Sequence, residues 1–357
     1  MQKAHLRNSI VESLTSCSHS RTRQVKMVKH GAFAVALVVG FLAAIPAAVE
    51  SIGVCYGVNG NRLPSASEVV QLYKSNGITG MRVYNVNDDT LKALSGSNLG
   101  LILDTGNTQL NALASSASNA DAWVKANVQS QQGLTIKYIA VGNEVPNQGG
   151  RTQDVLPAMK NIQNALVRAG LGGIKVSTAV HSGVTKGFPP SQGTFSDDGA
   201  HMPPIAQYLA SIGSPLLANI YPYFSFKGTP SIDIKYALFT APGTVVPDGP
   251  NSYQNLFDAL VDTMYSALEK AGAGSVPIVV SESGWPSAGD PDATAANART
   301  YNQNLINHVG KGTPKRPGAI EAYIFAMFNE NLKGGLETEK HFGLFNSDKS
   351  LAYSINF

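Results

Sequence analysis

The chain has 357 residues, 43% hydrophobic and 14% charged, which excludes disorder and fits an ordinary globular protein. Two cysteines, Cys17 and Cys55, exclude a disulfide scaffold and a four-cysteine zinc site. The formal charge of +3 arises at the N-terminus: residues 1–51 hold six basic and two acidic residues, leaving 21 basic against 22 acidic beyond them. That body is near neutral and lacks the basic face a nucleic-acid partner requires.

Residues 31–49 read GAFAVALVVGFLAAIPAAV, after Lys26 and Lys29 and before the small side chains around Val49-Glu50-Ser51. This is the pattern of a secretory signal peptide. An uncleaved anchor is disfavoured, because the run is near the lower spanning limit and has no charged C-terminal flank. Residues 1–51 are therefore expected to be a presequence, cut just before Ile52, with 31–49 as its apolar stretch. The mature protein, 52–357, is expected in the extracellular space or cell wall, with no membrane partner. Residues 1–26, before Met27, are polar and unpatterned. They read either as a long leader start or as an upstream extension of the reading frame. Cys55, in the apolar run IGVCYG, is expected to be a buried core thiol.

Continuous apolar runs predict strands at 52–57, 80–84, 99–104, 136–142, 174–179, 215–221, 276–281 and 319–327. Runs without alternation suit parallel strands buried on both faces. Between them, Ser65 and Glu68 form a capping box, and helical patterns cover 118–131, 153–169, 203–212, 251–271 and 293–309. Gly77, Gly170, Gly213, Gly272 and Gly310 follow helical runs and are expected to stop them. The alternation, repeated about eight times, predicts an α/β fold. The architecture expected is a single-domain (β/α)₈ TIM barrel over 52–357, with a small excursion at 225–250 after strand six. A doubly wound sheet is the alternative, but its G-x-G-x-x-G fingerprint is absent.

Catalytic groups of such a barrel stand at the C-terminal ends of the strands. Those ends carry Tyr56-Gly57, Tyr84-Asn85, Asp104, Asn143-Glu144, the ring group from Tyr221 to Phe224, Glu282 through Trp285, and Asn329-Glu330. Two carboxylates among rings and amides suit glycosidic cleavage: one protonates the leaving oxygen, the other attacks or activates water. Aromatic faces stack on sugar rings. His181, His201, His308 and His341 show no metal-ligand spacing, so neither metal nor cofactor is expected; His308 reads as a solvated helix cap. No G-x-S-x-G nucleophile elbow occurs.

The motifs VGNE (141–144), SESGWP (281–286) and AYIFAMFNEN (322–331) resemble plant glycoside hydrolase family 17. IGVCYG (52–57), ANIYPYF (218–224) and FGLF (342–345) resemble it too, so the match spans 52–357. The resemblance implies a retaining endo-β-1,3-glucanase, a β-glucan substrate and often a role in defence. It implies Glu144 as acid/base, Glu282 as nucleophile and Asn143 as the amide bonding the sugar 2-hydroxyl. Glu330, Lys333 and Glu339 become a supporting polar cluster, with Lys333 favouring the ionised form of Glu282 if near it. Tyr84, Asn85, Tyr221, Tyr223, Phe224, Phe226 and Trp285 become the substrate-binding group. A retaining pair would stand about 5–5.5 Å apart. A mixed β-1,3;1,4-glucan endohydrolase and an inactive wall-binding barrel are the alternatives. The first is set back by the ring-rich IYPYFSF, the second by the intact carboxylate pair. A monomer is expected.

Overall fold

Eight short parallel strands close on themselves in chain order. The computed structural model describes residues 52–145 and 150–357; the expected signal peptide and its cleavage point lie outside the described residues. The barrel strands are β1 (Gly53–Tyr56), β2 (Gly80–Val83), β3 (Gly100–Asp104), β4 (Thr135–Asn143), β5 (Lys175–His181), β6 (Leu216–Asn219), β7 (Ile278–Ser283) and β8 (Ala322–Ile324). Each pairs in parallel with its neighbours in sequence, and β8 pairs with β1. All eight lie where apolar runs predict them. The fold is thus a (β/α)₈ barrel.

The strands are buried on both faces, as in GMRV of β2, GLILD of β3 and IVVSES of β7. At the N-terminal end of the barrel the Tyr323 ring fills the interior. It lies so close to Gly53 and Gly80 that a Cβ at Gly53 would fall on the ring. Only glycine admits that approach.

The helices are α1 (Ala66–Ser75), α2 (Asp88–Leu94), α3 (Leu110–Ser115), α4 (Ala117–Val124), α5 (Thr152–Arg168), α6 (Met202–Ile212), α7 (Pro222–Gly228), α8 (Ile234–Ala237), α9 (Leu256–Lys270) and α10 (Ala295–His308). The capping box before α1 is formed: the Glu68 amide donates to Ser65 Oγ, and the Ser65 amide donates to Glu68 Oε2 at 3.0 Å. Gly77, Gly170, Gly213 and Gly272 are left-handed, whereas Gly310 is not. The helix expected over 251–271 starts only at Leu256. Asn255 caps it, its Oδ1 accepting from the Asp258 amide at 2.8 Å, and 251–253 pairs with 246–248 in a hairpin. That hairpin, α7 and α8 build the excursion after β6. A second hairpin, 185–186 with 194–195, follows β5 and was not expected.

Two irregularities in the barrel matter for the site. Between Ala140 and Asn143, β4 carries one residue more than β5 beside it; between Val280 and Glu282, β7 carries one more than β6. Bulges re-aim the side chains that follow them. Here they fall at the strand ends that carry Glu144 and Glu282.

Candidate active site

Glu144 follows the β4 bulge in the left-handed region, at φ 47°. Its amide donates to Ala179 O at 2.9 Å, tying the turn to β5. A left-handed non-glycine residue costs on the order of 1 kcal/mol or more and persists only where the surroundings hold it. Its carboxylate is oriented by Asn219, whose Nδ2 donates to Oε1 at 2.9 Å. The Asn107 side chain clamps the backbone just before: Oδ1 accepts from the Asn143 amide and Nδ2 donates to Asn143 O, both at 2.8 Å.

Glu282, 6% exposed, ends β7. Its Oε1 accepts from Arg82 Nη1 at 2.9 Å and from Tyr84 Oη at 2.8 Å, and its Oε2 from Tyr221 Oη at 2.7 Å. Burial raises the pKa of this carboxyl above the ordinary range. Arg82 opposes that rise, the Glu144 charge adds to it, and the Tyr221 and Tyr84 hydroxyls oppose it. Burial also holds both tyrosines well above the ordinary phenol value, so each stays protonated and donates.

Arg82 is fully buried and joins five strands. Besides Glu282 it bonds Asp104 Oδ2 and Asn143 Oδ1 through Nη2 at 2.9 Å, and Asn219 Oδ1 through Nη1 at 3.0 Å. Burial disfavours its charge, yet Asp104 and Glu282 hold it cationic. Asp104 is pushed up to about 6 by burial, with Arg82 limiting the rise. One buried cation thus serves two carboxyl groups.

Glu330 and Lys333 flank the pair. Glu330 is buried and accepts from the Asn59 amide at 3.1 Å. Burial raises its pKa, and Lys333 opposes the rise. A Cβ on Gly57 would collide with the Glu330 carboxylate, so the bare backbone makes its seat. Lys333 pairs with Glu339 at 2.9 Å and lies 4.4 Å from the Phe325 ring centre. Lys333, expected to favour the ionised form of Glu282 if near it, interacts with that charge through space, while the cation in direct contact with Glu282 is Arg82.

Two cavities meet at Glu282, Phe325 and Lys333. The first, about 460 Å³, is lined by Asn59, Tyr84, Asn85, Asn107 and Asn143 among others. The second, about 400 Å³, is lined by Glu144, His181, Tyr221, Phe224 and Phe342 among others. Tyr84, Asn85, Tyr221 and Phe224 thus border the cleft. Trp285 and Tyr223 do not present a face to it: they are 0% and 3% exposed. Trp285 packs against Tyr223, Tyr301 and Phe226 at centroid distances of 5.0, 5.7 and 5.9 Å, and its Nε1 donates to Asp292 O. Both are wall packing, not sugar platforms. Phe226 leans on Trp285 and lines neither of these cavities.

Sequence reasoning missed Arg82, Asn219, Phe325 and Phe342. The one signal for Arg82 was a basic residue inside the apolar run GMRV. His308 is no solvated cap: its Nε2 lies 2.7 Å from Asp258 Oδ1, and its ring packs by Phe239. Cys55 is the core thiol expected, fully buried, with Sγ donating to Ser281 O at 3.3 Å.

The fold and the paired carboxyls at the ends of β4 and β7 define a glycosidase-type barrel. The model of glycosyl hydrolases family 17 matches residues 52–357, and the chain belongs to that family. It is 66% identical over 327 residues to a glucan endo-1,3-beta-glucosidase, acidic isoform, of Zea mays, covering 91% of this chain and 96% of that protein. It is 52% identical over 315 residues to Lichenase-2 of Hordeum vulgare, covering 87% and 100%. Among solved structures, one of two plant beta-glucan endohydrolases with distinct substrate specificities superposes with a TM-score of 0.83 at 52% identity, over 86% of this chain and 100% of that one. CJP38, a beta-1,3-glucanase and pollen allergen of Cryptomeria japonica, gives 0.83 at 50% identity over 86% and 99%.

Proposed function

We propose that the protein is a retaining endo-hydrolase of β-1,3-glucosidic bonds in β-glucan, with Glu282 as nucleophile and Glu144 as general acid and base. The observation that carries the reading is the anchoring of Glu282 by Arg82, Tyr84 and Tyr221 in a cleft that Glu144 also lines. In the first step a Glu282 oxygen attacks the anomeric carbon while Glu144 gives its proton to the departing glycosidic oxygen. In the second, Glu144 takes a proton from water, whose oxygen displaces Glu282 and restores the β-anomer. Arg82 and the two phenols keep the nucleophile charged and aimed. Asn143 Oδ1 is taken by Arg82 and Asn219, which leaves Nδ2 as the donor for the sugar 2-hydroxyl.

The relatives named for β-1,3-glucan support this substrate, and Lichenase-2 supports the mixed-linkage alternative at lower identity. Reducing-end release from laminarin and from cereal mixed-linkage glucan, side by side, separates the two. The reading expects preference for laminarin; preference for the cereal glucan overturns the linkage assignment, and turnover of neither leaves a wall-binding barrel. Residues 1–51 are proposed as a presequence with export to the extracellular space. N-terminal sequencing of the secreted protein should begin within a few residues of Ile52; Met1 or Met27 on the exported form would contradict it.

A further inference from the structure

We propose that His181 is a binding residue for the part of the glucan chain that departs in the first step, and that with Phe224 it forms the site for the reducing-end sugars. The inference rests on the assignment of Glu144 as proton donor. Glu282 lines both cavities, whereas Glu144 lines only the second. The sugar attacked by Glu282 sits where the cavities join. The unit whose oxygen takes the Glu144 proton must then extend into the second cavity, whose wall His181 and Phe224 share.

His181 ends β5, the strand beside that of Glu144. Its ring lies against the bare backbone of Gly183, where a Cβ would come 2.8 Å from Nδ1 and 2.9 Å from Cε1. The loop is braced from behind. Ser196 Oγ donates to Gly183 O at 2.7 Å, the Ser196 amide to Val184 O at 2.8 Å, and Thr185 Oγ1 to Ser182 O at 2.8 Å. Burial lowers the His181 pKa below the ordinary value, against the attraction of Asp198. The neutral ring then carries one N–H donor and one acceptor. Either group can meet a sugar hydroxyl, which gives and accepts at once. Phe224, 38% exposed, supplies an apolar surface in the same cavity.

Two substrates isolate this contact. Laminarihexaose fills both sides of the scissile bond, whereas β-laminaribiosyl fluoride expels only fluoride and leaves the second cavity without sugar. In His181→Ala the ratio of kcat/KM on the hexaose to that on the fluoride should fall by up to about tenfold, the worth of one hydrogen bond. His181→Gln, which keeps a donor and an acceptor, should recover most of the ratio, and Gly183→Ala, which displaces the ring, should lower it by less. An unchanged ratio in His181→Ala, whether or not both rates fall, overturns the assignment. A wild-type enzyme that cleaves the fluoride but not the hexaose overturns the substrate reading, and this inference with it.

Discussion

Arg82 Nη1 lies 2.9 Å from Glu282 Oε1, while Nη2 of the same guanidinium lies 2.9 Å from Asp104 Oδ2. The nucleophile proposed here therefore shares its counter-ion with a second buried carboxyl group. The arrangement makes the site part of the fold's electrostatic core. Removing the cation strands two carboxyl groups in a buried environment.

Arg82→Met should destabilise the protein by about 3–5 kcal/mol at pH 8, the usual cost of breaking a buried pair by deleting one partner. The sign of the pH dependence follows from Asp104 and Glu282, whose folded values are raised. Stability tied to a raised carboxyl is fully present below its unfolded pKa and lost as pH rises through the folded one. The gap between variant and wild type should thus narrow as pH falls from 8 through about 6, the Asp104 value. Urea unfolding at pH 8 and pH 5 checks this; a gap that is constant or widens at pH 5 would refute it.

Tyr221→Phe removes a hydroxyl that favours the charged form of Glu282. The acid limb of the kcat/KM profile should move to higher pH, because the anion loses support and holds its proton longer. Tyr84→Phe should move it the same way. A limb that stays in place, or moves down, means that it reports another group.

Much of this site was legible in the sequence, and the reasons for the exceptions are physical. Glu144 and Glu282 were readable because both stand beside distinctive runs at strand ends. Arg82 was not, since its partner lies 200 residues away across the barrel and no local spacing marks the pair. The eight strands announced themselves as continuous apolar runs. The two hairpins did not, because two- or three-residue strands carry no periodicity. Trp285 misled because an indole suits a sugar platform and a packed wall equally well; its direction is set by the turn at Gly284, pressed against Phe325 O.

Two ring substitutions separate those roles. Trp285→Ala should cost about 3–5 kcal/mol of folding stability, as for a fully buried aromatic. Phe224→Ala should leave the melting temperature nearly unchanged and raise KM for laminarin, by a stacking contribution of about 0.5–1.5 kcal/mol by analogy with aromatic pairs. Equal melting temperatures for the two variants would contradict the burial contrast.

Gly57→Ala places a methyl on the Glu330 carboxylate. Losing the Glu330 contact to the Asn59 amide and crowding the site should cost about 1–3 kcal/mol of stability, with a fall in kcat. Gly57→Ala with wild-type melting temperature and turnover would show that Glu330 has room to move.

The central assignment is the covalent role of Glu282. Incubation with 2,4-dinitrophenyl 2-deoxy-2-fluoro-β-laminaribioside, followed by proteolysis and peptide mass mapping, should place one fluorinated disaccharide on the peptide that contains Glu282. An adduct on Glu144 or Glu330, or turnover of the reagent with no adduct at any time, would contradict the covalent role proposed for Glu282.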